Sequence, residues 1–118
     1  MPPRRALLAA ILALSMLFAV VGSAWATVDA VIRSSGTTWD PTRTVVHAGD
    51  TVKWKATSLT HTVSAYGGGW SKNVTLSTGE TTRKTFNSTG TYKFRCMFHS
   101  TLTSGVCSGM CGKVVVRA

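Results

Sequence analysis

Apolar and polar side chains alternate at a period of two along much of this chain. The clearest run is Tyr92-Lys93-Phe94-Arg95-Cys96, and a shorter one is Lys53-Trp54-Lys55. Successive side chains of a β-strand point to opposite faces of the sheet. The pattern therefore predicts strands with the large apolar groups and the Cys96 sulfur inward and the basic groups outward.

Several short segments of β-type composition are separated by turn residues and are predicted as strands. They are Val28–Arg33, Thr44–His47, Thr51–Ala56, Thr62–Ala65, Thr81–Phe86, Thr91–Cys96 and Lys113–Arg117. Gly49-Asp50 predicts a tight reversal, and the run from Asn87 to Gly90 predicts a hairpin. The sequence therefore predicts an all-β domain, a two-sheet β-sandwich with Greek-key connections.

Residues 1–26 follow a different pattern. Arg4 and Arg5 precede an apolar run over residues 6–22, and the small residues of Ala24-Trp25-Ala26 follow it. This order is typical of a secretory signal peptide. We expect cleavage after Ala26, a domain over residues 27–118, and a secreted, periplasmic or cell-surface location. A retained membrane anchor is the alternative, although the run is shorter than the roughly 20 residues of a usual span.

The composition of residues 27–118 differs from that of the predicted signal peptide. The signal peptide holds 19 of the 52 apolar residues, whereas residues 27–118 contain 28 Ser or Thr and only three Leu. Such a composition excludes a helical bundle, a coiled coil and a large α/β enzyme. The sequence also lacks a Gly-rich phosphate loop and a Ser/His/Asp constellation, so we expect no enzymatic activity.

The chain is basic. Thirteen Lys and Arg against four Asp and Glu give +9, and removal of Arg4 and Arg5 leaves 11 − 4 = +7. This charge favours an acidic partner protein or an anionic cell surface, but it is equally explained by Lys and Arg that simply solubilise the outer strand faces. Export and the lack of a clustered basic stripe argue against nucleic acid as a partner.

The three cysteines are an odd number for an exported domain. Cys107 and Cys111 are close enough in sequence to form a disulfide across a short loop, which leaves Cys96 unpaired. A buried thiol that packs as a small hydrophobe is one explanation. A metal that occupies the sulfur as thiolate is the other.

Two imidazoles and a thioether are available to such a metal. His61 opens a predicted strand, His99 lies three residues after Cys96, and Met110 lies in the C-terminal loop. Two His, one Cys and a weak axial Met are the ligand set of a trigonal copper site. Met97 is a weaker candidate because it faces away from Cys96 on a continuous strand, and His47 is interpreted as a surface residue.

With these residues in view, the chain resembles the cupredoxins, in particular the plastocyanin and pseudoazurin group. The resemblance covers nearly all of residues 27–118. It is carried by the segments Trp39-Asp40-Pro41, Val46–Trp54, His61-Thr62-Val63, Tyr92-x-Phe-x-Cys96-x-x-His99 and Met110–Val116.

The resemblance implies an exported, monomeric blue copper protein that carries one electron at a time to and from a redox partner. It implies one copper ion, Cu(I) or Cu(II), with His61, Cys96 and His99 as equatorial ligands and Met110 as the axial ligand. The exposed edge of His99 would be the electron port. The chain departs from common members by ten residues between His99 and Met110, and by Lys55-Ala56 where the family often has Asn.

Other functions are compatible with the same residues. A copper-delivery protein and a metal-stabilised extracellular binding module without a redox role are two of them. A structural zinc site of Cys96, Cys107, Cys111 and His99 is chemically possible but requires three reduced thiols after export. Asn73 and Asn87 also fit the N-glycosylation pattern.

Overall fold

A computed structural model describes residues 27–118, and every regular element in that range is a β-strand. The nine strands are β1 Val28–Ser35, β2 Thr38–Asp40, β3 Arg43–His47, β4 Asp50–Lys55, β5 His61–Tyr66, β6 Asn73–Leu76, β7 Thr81–Phe86, β8 Gly90–Thr103 and β9 Val106–Arg117. No helix in residues 27–118 is long and apolar enough to cross a membrane. The predicted signal peptide and its cleavage point after Ala26 lie outside the described residues.

The strands form two sheets. One has the order β2-β1-β4-β7 and the other the order β3-β9-β8-β5-β6. Both are mixed, because β1 runs parallel to β4 and β3 runs parallel to β9 while the other pairs are antiparallel. The predicted all-β two-sheet sandwich is confirmed.

Inward-facing residues of both sheets make the core. Trp54 of the four-stranded sheet packs edge-on against Phe94 of the five-stranded sheet, with 5.3 Å between ring centroids. Phe86 and Trp39 extend this aromatic contact on either side. The predicted inward position of Phe94 and Cys96 is confirmed, since both are fully buried. Burial of these large rings is the main source of stabilisation in so small a domain.

Three features differ from the prediction. The short strands β2 and β6 were not predicted, because three or four residues are too few to show a periodicity. The prediction of a hairpin at residues 87–90 is wrong. Because β7 belongs to one sheet and β8 to the other, the chain crosses the sandwich there. The tight turn instead joins β8 to β9, at Ser104 and Gly105, both of which have positive φ.

Candidate metal centre

The site lies where the pairing of β8 with β9 is interrupted. Arg95 faces Cys111 and the next pair is Ser100 with Gly109, so four residues of β8 (96–99) lie opposite one residue of β9, Met110. Extra residues in one strand bend it and redirect its side chains. The interruption therefore allows Cys96 and His99 of β8 to converge with Met110.

Cys96 is fixed on the inner face by the end of β5. Its sulfur accepts a hydrogen bond from the Thr62 backbone N–H at 3.3 Å. The Thr62 hydroxyl in turn accepts the Met97 backbone N–H at 2.8 Å, which ties the interruption to β5. These two contacts fix the position of the sulfur beside β5. Cys96 is the one free thiol among residues 27–118.

His61 is fully buried at the start of β5. Its Nε2 donates to the Ser58 carbonyl at 2.7 Å, which leaves Nδ1 facing Cys96 Sγ at 3.8 Å. The ring also lies 5.8 Å from that of Trp39, centroid to centroid. Burial lowers the pKa of His61 and the neighbouring His99 acts in the same direction, whereas the Ser58 carbonyl raises it. The neutral imidazole, the form that binds a metal, is favoured.

His99 completes the three-residue cluster from the other side. Its Nδ1 lies 3.5 Å from Cys96 Sγ, and its ring centroid is 5.0 Å from that of His61. His99 is half-buried, whereas Cys96 and His61 are inaccessible. Ser100 closes the turn after it by donating to the Cys96 carbonyl at 2.5 Å.

Met110 is fully buried in the core opposite the interruption. The preceding Gly109 has φ +100, and a Cβ there would lie 2.5 Å from the His99 carbonyl oxygen. Only glycine fits both the backbone conformation and the close approach. Gly109 therefore allows the chain to turn so that Met110 points inward.

The predicted disulfide is confirmed between Cys107 and Cys111. Their Cα atoms are 6.2 Å apart, whereas four steps of extended strand would span about 13 Å. The bridge thus spans the folded-back segment that contains Gly109 and Met110. Because both sulfurs are paired, the four-ligand zinc site with Cys107 and Cys111 is not available.

The cluster suits a soft metal. One sulfur and two imidazole nitrogens, from Cys96, His61 and His99, all lie within 4.8 Å of one another, and no carboxylate belongs to this group. Thiolate and imidazole, with a thioether buried nearby, are the ligands that favour copper. The four side chains singled out in the sequence are thus arranged as a possible copper site.

Supporting residues were the part that sequence reasoning missed. Ser58 orients His61 through its backbone carbonyl, and Thr62 orients Cys96 through its backbone N–H. The only signal for them was their position beside His61. Met97 is half-exposed and faces away from the cluster, as expected, and His47 lies at the surface, where its ring is 3.9 Å from Asp50.

Comparisons with known proteins agree with this geometry. The family model described as copper binding proteins, plastocyanin/azurin family, matches residues 26–117. A search of curated proteins gave no match.

Among solved structures, a purple cupredoxin from Nitrosopumilus maritimus is 24% identical, with 75% of this chain and 99% of that chain covered and a TM-score of 0.58. Amicyanin from Paracoccus versutus is 24% identical, with 77% and 84% covered and a TM-score of 0.60. A Cu-containing nitrite reductase from Thermus scotoductus is 20% identical, with 75% and 22% covered and a TM-score of 0.63. At these identities the likeness shows the fold.

Proposed function

Because the chain belongs to the plastocyanin/azurin family of copper-binding proteins, we propose that it is an exported blue copper protein that carries single electrons. The observation that carries the proposal is the convergence of Cys96 Sγ with the Nδ1 atoms of His61 and His99. In this proposal these three side chains would hold the copper, and the thioether of Met110 would be a weaker fourth ligand. The bound ion supplies one-electron chemistry between Cu(II) and Cu(I).

The protein's own part is to hold the ligands still and to keep water out. Ser58 holds the ring of His61, and the Thr62 N–H holds the sulfur of Cys96. Outer contacts of this kind orient metal ligands and tune their affinity. Three of the four proposed ligands are fully buried, namely His61, Cys96 and Met110. Ligands fixed before the electron arrives need little rearrangement when it does.

His99 is the proposed point of electron entry and exit, since it is the one proposed ligand that reaches the surface. The side chains next to it along β8 are also exposed: Met97 to 50% and Phe98 to 61%. A redox partner that covers these residues would bring its own centre close to the His99 ring. Two exposed apolar side chains beside the His99 ring give a partner protein an apolar area to cover.

We assign the protein as a carrier and not an enzyme. The similarity to nitrite reductase covers 22% of that chain and does not extend to the rest of that enzyme. Export with a signal peptide at residues 1–26 and a working domain at residues 27–118 is part of the proposal, supported by the family model, whose match covers residues 26–117.

Expression of the full chain, followed by addition of Cu(II), tests the function. We expect exported protein that begins at Thr27 and shows intense visible absorption from thiolate-to-copper charge transfer at one copper per chain. Cys96→Ser should abolish the colour because it removes the thiolate. Met110→Leu should keep the colour and change only the wavelength of maximum absorption and the reduction potential, since the bond to an axial thioether is weak.

The control is Met97→Leu, which makes the same substitution at a half-exposed methionine beside Cys96. It should change neither the spectrum nor the potential. A colourless zinc complex with no bound copper, or a spectrum that survives Cys96→Ser, would contradict the proposal.

A further inference from the structure

The outer face of the five-stranded sheet carries three cations in direct register. Arg43 of β3 pairs with Lys113 of β9, and Lys113 pairs with Lys93 of β8. Tyr66 of β5 continues this line as the partner of Lys93. Register partners on adjacent strands project from the same face. We call Arg43, Lys93 and Lys113 the basic row; its two ends are two strand spacings apart, about 10 Å.

This arrangement is unfavourable within the protein itself. Like charges directly opposite each other on neighbouring strands destabilise a sheet. Within residues 27–118, the charged groups of the basic row form no hydrogen bond or ion pair. Like-charge pairs also occur on the four-stranded sheet, where Lys53 faces Arg83 and Lys55 faces Arg33. What singles out the basic row is that its three cations line one groove.

The acidic residues do not neutralise the basic row. Asp29, Asp50 and Glu80 each accept a hydrogen bond from a backbone N–H, of Thr51, His47 and Ser77 respectively. The fourth acidic residue of the described range, Asp40, forms no ion pair with the row. The positive potential of this face is therefore open to a ligand from outside.

The basic row lines a groove of about 280 Å³, together with Tyr66 and Cys111. Cys111 directly follows Met110, so one wall of the groove is the backbone that carries the proposed axial ligand. Arg95 lies on the same outer face, two residues beyond Lys93 and directly before Cys96. A molecule bound in the groove thus lies against the outer side of the strands that hold the metal centre.

We propose that the basic row is a docking site for a run of carboxylates on an acidic partner protein. The length of the row favours such a segment over a single small anion, because several carboxylates along an extended chain can each meet one of the cations on strands that together span about 10 Å. A groove with an aromatic wall also suits an extended peptide better than the flat surface of a membrane. The idea that this partner exchanges electrons rests on the proposed function. The binding of carboxylates to the basic row is independent of it.

A blocked oligoglutamate peptide is a suitable probe, titrated into the full chain at low ionic strength and followed by amide NMR shifts, with and without copper. We expect shifts centred on the basic row and binding that weakens as salt is added. Lys93→Gln with Lys113→Gln should weaken binding about five- to tenfold, because each exposed charge pair lost costs a few-fold in affinity.

The matched control is Lys53→Gln with Lys55→Gln, which removes the same charge from the outer face of the four-stranded sheet. There Lys53 faces Arg83 and Lys55 faces Arg33, and none of these residues lines the groove. The control should weaken binding less than about twofold, since distant exposed charges are screened.

Equal weakening by both double variants would overturn the inference, since the lysines would then act only through net charge. Inorganic phosphate that binds as tightly as the peptide, or vesicles rich in phosphatidylglycerol that bind where the peptide does not, would also overturn it. If the blue colour fails to form while the peptide binds as expected, the proposed function falls and the carboxylate site stands. If the colour forms and the double variants bind alike, only this inference falls.

Discussion

The hairpin of β8 and β9 contains two regions of opposite character. In the regular half, residues 90–95 pair one by one with residues 111–116. In the interrupted half, four residues of β8 lie opposite Met110 before pairing resumes at Ser100. The regular half places side chains at period two in the core, whereas the interrupted half brings the candidate ligands Cys96, His99 and Met110 together. The regular half of the two strands therefore contributes to the core, and the interrupted half forms the candidate metal centre.

Phe94→Ala tests the regular half and should have the largest effect on stability. Phe94 is fully buried and packs against Trp39 and Trp54. Truncation of such a ring leaves a cavity and should lower the free energy of unfolding by about 3–5 kcal/mol. Urea denaturation of the copper-free protein measures it, with Phe94→Leu as the milder variant.

The comparison also predicts that any Phe94→Ala protein that stays folded keeps its thiolate-to-copper absorption. If that protein is folded by circular dichroism but has lost the colour, the two halves are not separable.

Gly109→Ala tests the interrupted half. The new Cβ would meet the His99 carbonyl oxygen, and the backbone there has φ +100. We expect strain to lower the free energy of unfolding by about 1–3 kcal/mol. The visible spectrum should also shift, because Met110 is displaced.

Gly105→Ala is the control for that variant, since it also has positive φ but no atom lies within 4 Å of its added Cβ. This variant should lower the free energy of unfolding by about 1 kcal/mol and leave the visible spectrum unchanged. Identical spectra for both variants would show that Gly109 does not position Met110.

Removal of the disulfide should have the smallest effect on the site. Cys107→Ser with Cys111→Ser opens a closed loop of only five residues, so the chain-entropy model gives a loss of about 2 kcal/mol. Copper should still bind, because Cys96, His61 and His99 do not depend on the bridge. Thermal unfolding measures the loss of stability, and the visible spectrum measures copper binding. A loss of colour as complete as in Cys96→Ser would show that the site does depend on the bridge.

Much of the site was predictable because its residues have distinctive chemistry. An odd cysteine count separated Cys96 from Cys107 and Cys111, and the disulfide is confirmed. His61 and His99 followed from the ligand set that a copper thiolate site needs. The roles of Ser58 and Thr62 were not predictable, because backbone groups and common hydroxyls carry no signal until a neighbour approaches them.

Strand content followed from local patterns, and sheet membership did not. The alternation in Tyr92–Cys96 is a property of adjacent residues and indicates which side chains point inward. The same kind of pattern in β7 and β8 could not show that these neighbours in sequence lie in different sheets. A hairpin and a crossing connection can share the same turn residues.

The sequence by itself therefore determined the β character of the domain, the candidate ligands and the candidate cysteine pair, since each depends on residue type and short spacing. The tertiary structure decided where the β8–β9 pairing breaks, and with it the position of Met110 opposite Cys96 and His99. It also decided that Arg43, Lys93 and Lys113 stand side by side. Register between strands distant in sequence depends on the packing of the whole core, so these juxtapositions appear only when the chain has folded.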